Sequence, residues 1–286
     1  MFELETRQQS IALMVLCPIS LALMGYAVKT SHHLPVAQVL LARFGISALI
    51  YTVWLGIRGF EFRAIRPLKH VLRTALGFCS VACLFGSISK IPLSTALCLS
   101  YTVPIFSYVI SVCLGQVKAD FRFLYVAGAV VAIAMIVQPS ADISPFGALL
   151  GLASAFFGAM ALFEIKRISH SEGTDAILVM YFVYATLALL LFSLFSNDTS
   201  GLGDSLAASA PQLLGVGLFG LLYQFSLVGA LKHVPVATVS LALLAAIAIG
   251  YGIDIMALGA QVSLWALLGT VLLAACIGAY SRASRT

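Results

Sequence analysis

Apolar residues run through this chain in long blocks, and polar residues gather in short clusters between them. In most blocks the hydrophobicity continues all round the helical wheel, with no wet face. A helix needs roughly 20 mainly apolar residues to cross a bilayer. Ten segments meet that length: 10–28, 36–57, 71–88, 93–114, 122–138, 146–165, 175–195, 211–231, 236–258 and 264–281. The breaks between them are turn-rich, as in SHHLP (31–35), QPSADISP (138–145), SHSEGTD (169–175) and SNDTSGLGDS (196–205). The pattern predicts an all-α polytopic membrane protein with ten transmembrane helices.

Composition agrees with that reading. Of 286 residues, 61% are hydrophobic and 9% charged, against about a quarter charged in an ordinary soluble domain. So few charges cannot clothe a water-facing surface, so the surface faces lipid. The first block is longer than a signal-peptide core and no A-x-A site follows it, so it is expected to be a retained helix. The net charge of +5 comes from loop anchors and predicts no nucleic-acid partner. With the N-terminus inside, 13 of the 16 basic residues fall on the cytoplasmic side; Lys29 and Lys90 lie outside, and Arg43 lies within a span. Such a bias predicts N-in/C-in and argues against seven spans. Cys17, Cys79, Cys83, Cys98, Cys113 and Cys276 all sit in apolar runs; small core residues are expected, and no metal site.

Two prolines expose an internal order. SKIPLSTALCLSYTVPIF (89–106) resembles KHVPVATVSLALLAAIAI (232–249), and Pro92 and Pro235 are 143 residues apart, half the chain. Each follows a basic residue and opens a helix, a position proline tolerates. Five predicted spans separate them, an odd number. The chain is therefore expected to consist of two five-helix repeats of inverted topology, 1–143 and 144–286, a recurring plan among secondary transporters.

These features resemble the EamA family of the drug/metabolite transporter superfamily, through LPVAQVLLARFGISALI (34–50), IPLSTALCLSYTVPIFSYVISVCLGQ (91–116) and LYVAGAVVAIAMIVQP (124–139). Gln116 stands where that family commonly has Glu. The second copy ends LGA (258–260), and Ile247 occupies the place of the proline expected opposite Pro104.

Several polar residues lie inside the apolar blocks. Pro104 removes a donor and bends its helix; a carbonyl freed at Ser100 is tolerable only where protein or water satisfies it. Ser100, Pro104, Ser107 and Ser111 share one face of span 4, with Tyr101 and Tyr108 on the next. They form either a kinked polar wall of a substrate path or back-bonded small residues for packing. Arg43 lies about 10 Å into span 2 at the helical rise, with Ser47, Tyr51 and Trp54 continuing its face. It is either a fork for a substrate carboxylate or phosphate or a structural cation. Asp254 is a candidate partner for Arg43, a proton site, or a hydrated interfacial acid. Tyr223 and Gln224 are polar within span 8, and an amide there needs partners. Gly147, Gly151, Ala155 and Ala159 form a packing ladder on span 6. His32 and His33 are read as loop residues. Glu164 is read as an interfacial ion pair with Lys166 and Arg167.

No catalytic constellation and no ATPase motif are present, so no enzyme activity and no cofactor are expected. The resemblance implies a secondary transporter of a small polar organic metabolite, an amino acid or related compound, in the inner membrane, with export favoured. A proton or other ion is the candidate coupling partner, and no oligomeric state is assigned. The second reading is uptake of a vitamin, nucleoside derivative or S-adenosylmethionine-like solute. The rival of another class is a non-transporting scaffold or accessory subunit. Rocking around a centre walled by spans 3, 4, 8 and 9 is the expected mechanism.

Overall fold

The computed structural model describes residues 2–31, 34–59, 67–88, 90–91, 93–138, 144–195, 209–258 and 263–283. Helices account for nearly all of them: α1 (Phe2–Thr30), α2 (Val36–Ile57), α3 (Pro67–Ile88), α4 (Leu93–Ser100), α5 (Val103–Cys113), α6 (Arg122–Val137), α7 (Pro145–Ser169), α8 (Thr174–Phe195), α9 (Ala210–His233), α10 (Val236–Leu243), α11 (Ala245–Leu258) and α12 (Leu264–Ala283). No strand occurs among the described residues. Among the described residues seven stretches are long and apolar enough to cross a membrane, two of them running through a helix break (96–113 and 236–257); Arg122–Val137 and Leu264–Tyr280 are shorter apolar helices. Large apolar side chains stand fully outward, Ile57 being 81% exposed and Met256 90%. A surface of that kind suits lipid contact. Pro92, His32, His33, Arg63 and Arg66 lie outside the described residues, as do the side chains of Lys29 and Asp254.

The chain forms two compact units, each drawing segments from both halves of the sequence. The first comprises Met1–Thr74 and Arg167–Lys232, the second Ala75–Lys166 and His233–Thr286. In the first unit Met24, Ala27, Leu34, Val39, Leu213 and Val216 form one core cluster. Gly217 lets α2 approach α9: a Cβ there would meet the Cγ2 of Ile46 at 2.5 Å. Ser47 donates to the Gly217 carbonyl (2.8 Å), a bond shared with the carbonyl of Arg43. Tyr51 donates to Asp175 at 2.6 Å, docking α2 on α8. The start of α3 is pinned by a buried imidazole–carboxylate pair, His70 with Glu172 of the α7–α8 turn. Without water, polar pairing and close packing of small residues hold helices together.

The second unit is organised by α6 and α12, whose Val126, Ala129, Ala132, Ile133, Ala266 and Leu273 are buried together. The small-residue ladder of α7 packs as expected. Ala155 and Ala159 are fully buried, a Cβ on Gly151 would meet Leu99 Cβ at 2.9 Å, and Ser87 donates to the Gly147 carbonyl at 2.8 Å. Of the cysteines, Cys17 and Cys276 are core residues as expected. Cys79 and Cys113 are exposed; in a lipid-facing wall an apolar thiol needs no burial. Glu164 is buried, and Lys166 donates to the Val234 carbonyl at 2.9 Å.

The break in span 4 lies two residues before Pro104. Tyr101 and Thr102 are in a turn, and Thr102 is the N-cap of α5, with Pro104 in its first turn. The proline thus starts a second helix rather than kinking one continuous helix. Its absent N–H falls where a helix leaves donors unpaired anyway. The helix ends in a Schellman motif: Gly115 (φ 68°) bonds through its N–H to Val112, and Gln116 to Ser111. That geometry explains the Leu114–Gly115 pair. Pro235 occupies the N-cap of α10, with φ −59° and ψ 145°, one position earlier than its expected place inside the helix.

Several features recur 143 residues apart. Leu93 and Val236 begin α4 and α10; Ser100 and Leu243 end them. Tyr101 and Leu244 mark the two breaks, the second with no proline near it. The hydroxyl of Tyr108 accepts the backbone N–H of Asp120 (3.2 Å), and that of Tyr251 the N–H of Ser263 (2.9 Å).

Two stability predictions follow from the first unit. Gly217→Val collides with Ile46 and should destabilise by about 1–3 kcal/mol, whereas Gly25→Val, with nothing within 4 Å, should be near neutral; thermal unfolding in detergent measures both. His70→Ala leaves the Glu172 carboxylate buried without its partner and should cost about 3–5 kcal/mol. Removing both groups together (His70→Leu with Glu172→Met) should recover most of that loss, and full stability of His70→Ala alone would contradict the pairing.

Candidate functional site

Polar side chains collect in the first unit along one face of α9. Gly220 and Gln224 stand one helical turn apart, and each receives an arginine. Gln224, 5% exposed, accepts a hydrogen bond at 3.0 Å from Nη2 of Arg73, itself 3% exposed. Gly220 leaves room for the stem of Arg43: a Cβ there would lie 3.3 Å from Arg43 Cγ and 3.7 Å from Nε. The two arginines come from α3 and α2, and α8 completes the arrangement. The Arg73 guanidinium lies over the Tyr181 ring, Cζ 3.3 Å from its centroid. Tyr181 meets Phe44 edge-on at 5.4 Å, and Arg43 Cζ is 5.1 Å from the Phe44 centroid. Both arginines thus reach the same face of α9 at positions one turn apart, and Tyr223 stands between those positions in the helix.

The partners of Arg73 are neutral. A ring face and an amide carbonyl hold the guanidinium in place without cancelling its charge. Its Nε has no hydrogen-bond partner among the described residues. Within this unit the described acids are engaged elsewhere, Glu172 by His70 and Asp175 by Tyr51. Glu3, Glu5, Glu61, Asp198 and Asp204 have side chains outside the described residues. The cluster therefore presents more donors than acceptors and two positive charges with no acidic partner among the described residues.

Three predicted residues, Arg43, Tyr223 and Gln224, fall in this cluster. Ser100, Tyr101, Pro104, Ser107 and Tyr108 belong to the second unit. There Ser100 shares a hydrogen bond with Ser154 at 3.2 Å, and Ser80 donates to the Ser154 carbonyl at 2.9 Å. Ser107 and Ser111 are fully buried, and neither hydroxyl has a partner among the described residues. Tyr101 is half-buried at the break and packs against the α6–α12 core. Tyr108 is buried, its hydroxyl directed to the 118–120 turn. A shallow apolar depression of about 380 Å³ lies beside it, lined by Val109, Val112, Cys113 and Phe123 among others.

Arg73 and Tyr181 were not among the residues singled out from the sequence. Arg73 was grouped with the cytoplasmic anchors, although it stands two residues past the predicted start of span 3. That depth was the available signal, since an arginine inside an apolar block faces the protein interior or a wet cavity. Tyr181 carried no signal in an aromatic-rich helix. The Trp54 end of the Arg43 face remains partly exposed under Arg58, whose Cζ is 4.3 Å from the indole centroid. Among the described residues no group of three His, Cys, Asp or Glu side chains gathers to hold a metal ion.

Comparison with known proteins adds a family. Residues 145–281 match the EamA-like transporter family. Two relatives named pseudopaline exporter CntI, from Pseudomonas aeruginosa strains PAO1 and UCBPP-PA14, are each 28% identical to this chain. Their alignments run over 235 and 237 residues, 80% of this chain and 81% of theirs. Alignments of that length reach into the first half, where the motifs carrying the resemblance lie. A crystal structure of a protein 15% identical superposes with a TM-score of 0.81, covering 97% of this chain and 98% of the other; this likeness shows the fold alone. The chain carries an EamA-family transporter domain in its second half, is homologous to an exporter along four-fifths of its length, and is a membrane transporter.

Proposed function

We propose that the chain is a secondary carrier that moves a small polar organic metabolite, an amino acid or related compound, out of the cell across the inner membrane. The observation that carries this reading is the EamA-family match over 145–281 together with homology to a protein named an exporter. The buried Arg73–Gln224 pair supports it, because an arginine inside an apolar bundle is costly and marks solute or ion pathways more often than scaffolding. With no ATPase motif in the sequence, a gradient supplies the work, and a proton or another ion is the candidate driver.

The proposed architecture is ten spans in two inverted five-helix repeats, 1–143 and 144–286, with both termini inside. Spans 4 and 9 are the broken helices of the two copies. The recurrence at 143 residues of both breaks and both tyrosine-to-turn hydrogen bonds supports this arrangement. Ser100, Tyr101, Pro104, Ser107 and Tyr108 are proposed to belong to the polar wall of the solute path, and Arg43, Tyr223 and Gln224 to its recognition groups. Asp254 is retained as a proposed polar group of span 9.

Reporter tags after each span should place the loops at Arg63 and Lys232 on the same, cytoplasmic, side; opposite sides would remove the inverted-repeat plan. Counterflow in liposomes, with solutes chosen by comparing metabolites of cells with and without the protein, should show saturable exchange. Tyr101→Ala should lower that flux at least several-fold while membrane insertion stays normal. Wild-type flux in this variant would remove the span 4 path, and absence of any flux in the wild-type protein would favour an accessory subunit.

A further inference from the structure

We propose that Arg43 and Arg73 together bind an oxyanion group of the carried solute, a carboxylate or a phosphate. This inference rests on the carrier reading and names the chemical class of the solute.

Three observations converge on it. Arg73 is almost fully buried, yet its Nε lacks a partner among the described residues. A guanidinium is a planar fork that matches two oxygens of a carboxylate or phosphate side by side, and an unused Nε is one tine of that fork. Next, the groups that hold Arg73 orient it without neutralising it. The Tyr181 ring fixes its plane and the Gln224 carbonyl takes a single Nη2 proton. Finally, a second guanidinium is brought to the same face of α9 by the absence of a side chain at Gly220. Two like charges repel more strongly in an interior of low dielectric than in water. An arriving anion relieves that repulsion and satisfies the spare donors at once.

The same unit shows what a locally compensated polar group looks like. Glu172 is buried against His70, a group of complementary chemistry, although Glu172 Oε1 and His70 Nδ1 have no further partner among the described residues, and Asp175 receives the Tyr51 hydroxyl. What sets Arg73 apart is that none of its described partners is acidic. At Arg73 the position facing Nη2 holds an amide where a carboxylate would fit equally well. Gln224 has the shape of glutamate without its charge, so it positions the fork and leaves the charge available to a ligand.

That isosteric relation supplies the test. Gln224→Glu should place an internal carboxylate on Arg73 with no change of volume. Purified full-length protein in detergent would be titrated with succinate, inorganic phosphate and neutral succinamide at constant ionic strength, following thermal unfolding. Wild-type protein should be stabilised by succinate, by phosphate or by both, and the effective anion identifies the group recognised; succinamide should have no effect. Gln224→Glu should unfold at or above the wild-type temperature and need at least tenfold more anion for the same shift. Arg43→Gln should weaken the anion response by a similar factor. Equal anion responses in wild type and Gln224→Glu would overturn the inference, as would a wild-type protein that succinate and phosphate leave unchanged. Flux is read separately, so a protein that binds anions but shows no counterflow loses the carrier reading and keeps the site. One that exchanges a neutral solute without responding to anions loses only the site.

Discussion

Everything in the first unit depends on one constraint: a polar group among apolar helices has no water to turn to and must find its partners within the protein. Arg73 meets that constraint only in part, with a ring face and one amide carbonyl, and its Nε has no partner among the described residues. The helices are arranged to deliver those partners. Gly217 brings α2 against α9, and the Ser47 hydroxyl reaches the Gly217 carbonyl across that approach. Gly220 then admits Arg43, and Gln224 receives Arg73 one turn further on. The pair of His70 and Glu172 anchors the start of the helix that carries Arg73. A single face of α9 therefore decides which helices approach and which charges meet.

The breaks in spans 4 and 9 follow from architecture more than from proline. In span 4 the turn at Tyr101–Thr102 precedes Pro104, which sits in the first turn of α5. Span 9 breaks at the matching position, Leu244, where the residue opposite Pro104 is Ile247. If the proline forced the break, its replacement would give a continuous helix. Instead it fits a bend that both segments adopt, and its missing donor costs nothing in a first turn. The Schellman end at Gly115 is likewise a backbone requirement, since the left-handed φ there favours glycine. The neighbouring Gln116 contributes its backbone N–H to the same motif.

Much of the fold was legible because lipid imposes a coarse rule. Apolar blocks of spanning length, turn-rich gaps and a half-length offset were enough to locate most helices to within a few residues. The apolar run of span 3 begins at 71, whereas α3 starts at Pro67, because the polar Lys69 and His70 interrupt the run. That misplacement hid Arg73 among the anchors. The small-residue ladder at Gly147–Ala159 was legible because close helix approach has a compositional signature. The cysteines misled in part, since burial rules drawn from water do not separate the protein interior from lipid: Cys79 and Cys113 are exposed. Arg43, Tyr223 and Gln224 could be singled out as polar residues in apolar runs. Their meeting with Tyr181 could not, because it depends on tertiary packing of four helices.

Part of the structure recurs along the chain and part does not. The helix breaks and the Tyr108 and Tyr251 hydrogen bonds return after 143 residues. The polar cluster does not. At the same offset Arg73 corresponds to Val216, His70 to Leu213, Arg43 to Thr186 and Gln224 to Val81. Non-recurrence does not by itself mark a site, since the anchoring pair of His70 and Glu172 also has no counterpart at that offset, where Leu213 and Lys29 stand. At the 143-residue offset a buried valine, Val216, stands in α9, so a helix position of this kind does not by itself call for a cation. Arg73 is costly in its setting, and its neutral partners, a ring face and an amide carbonyl, leave its charge uncancelled, which is the condition the proposed oxyanion site requires.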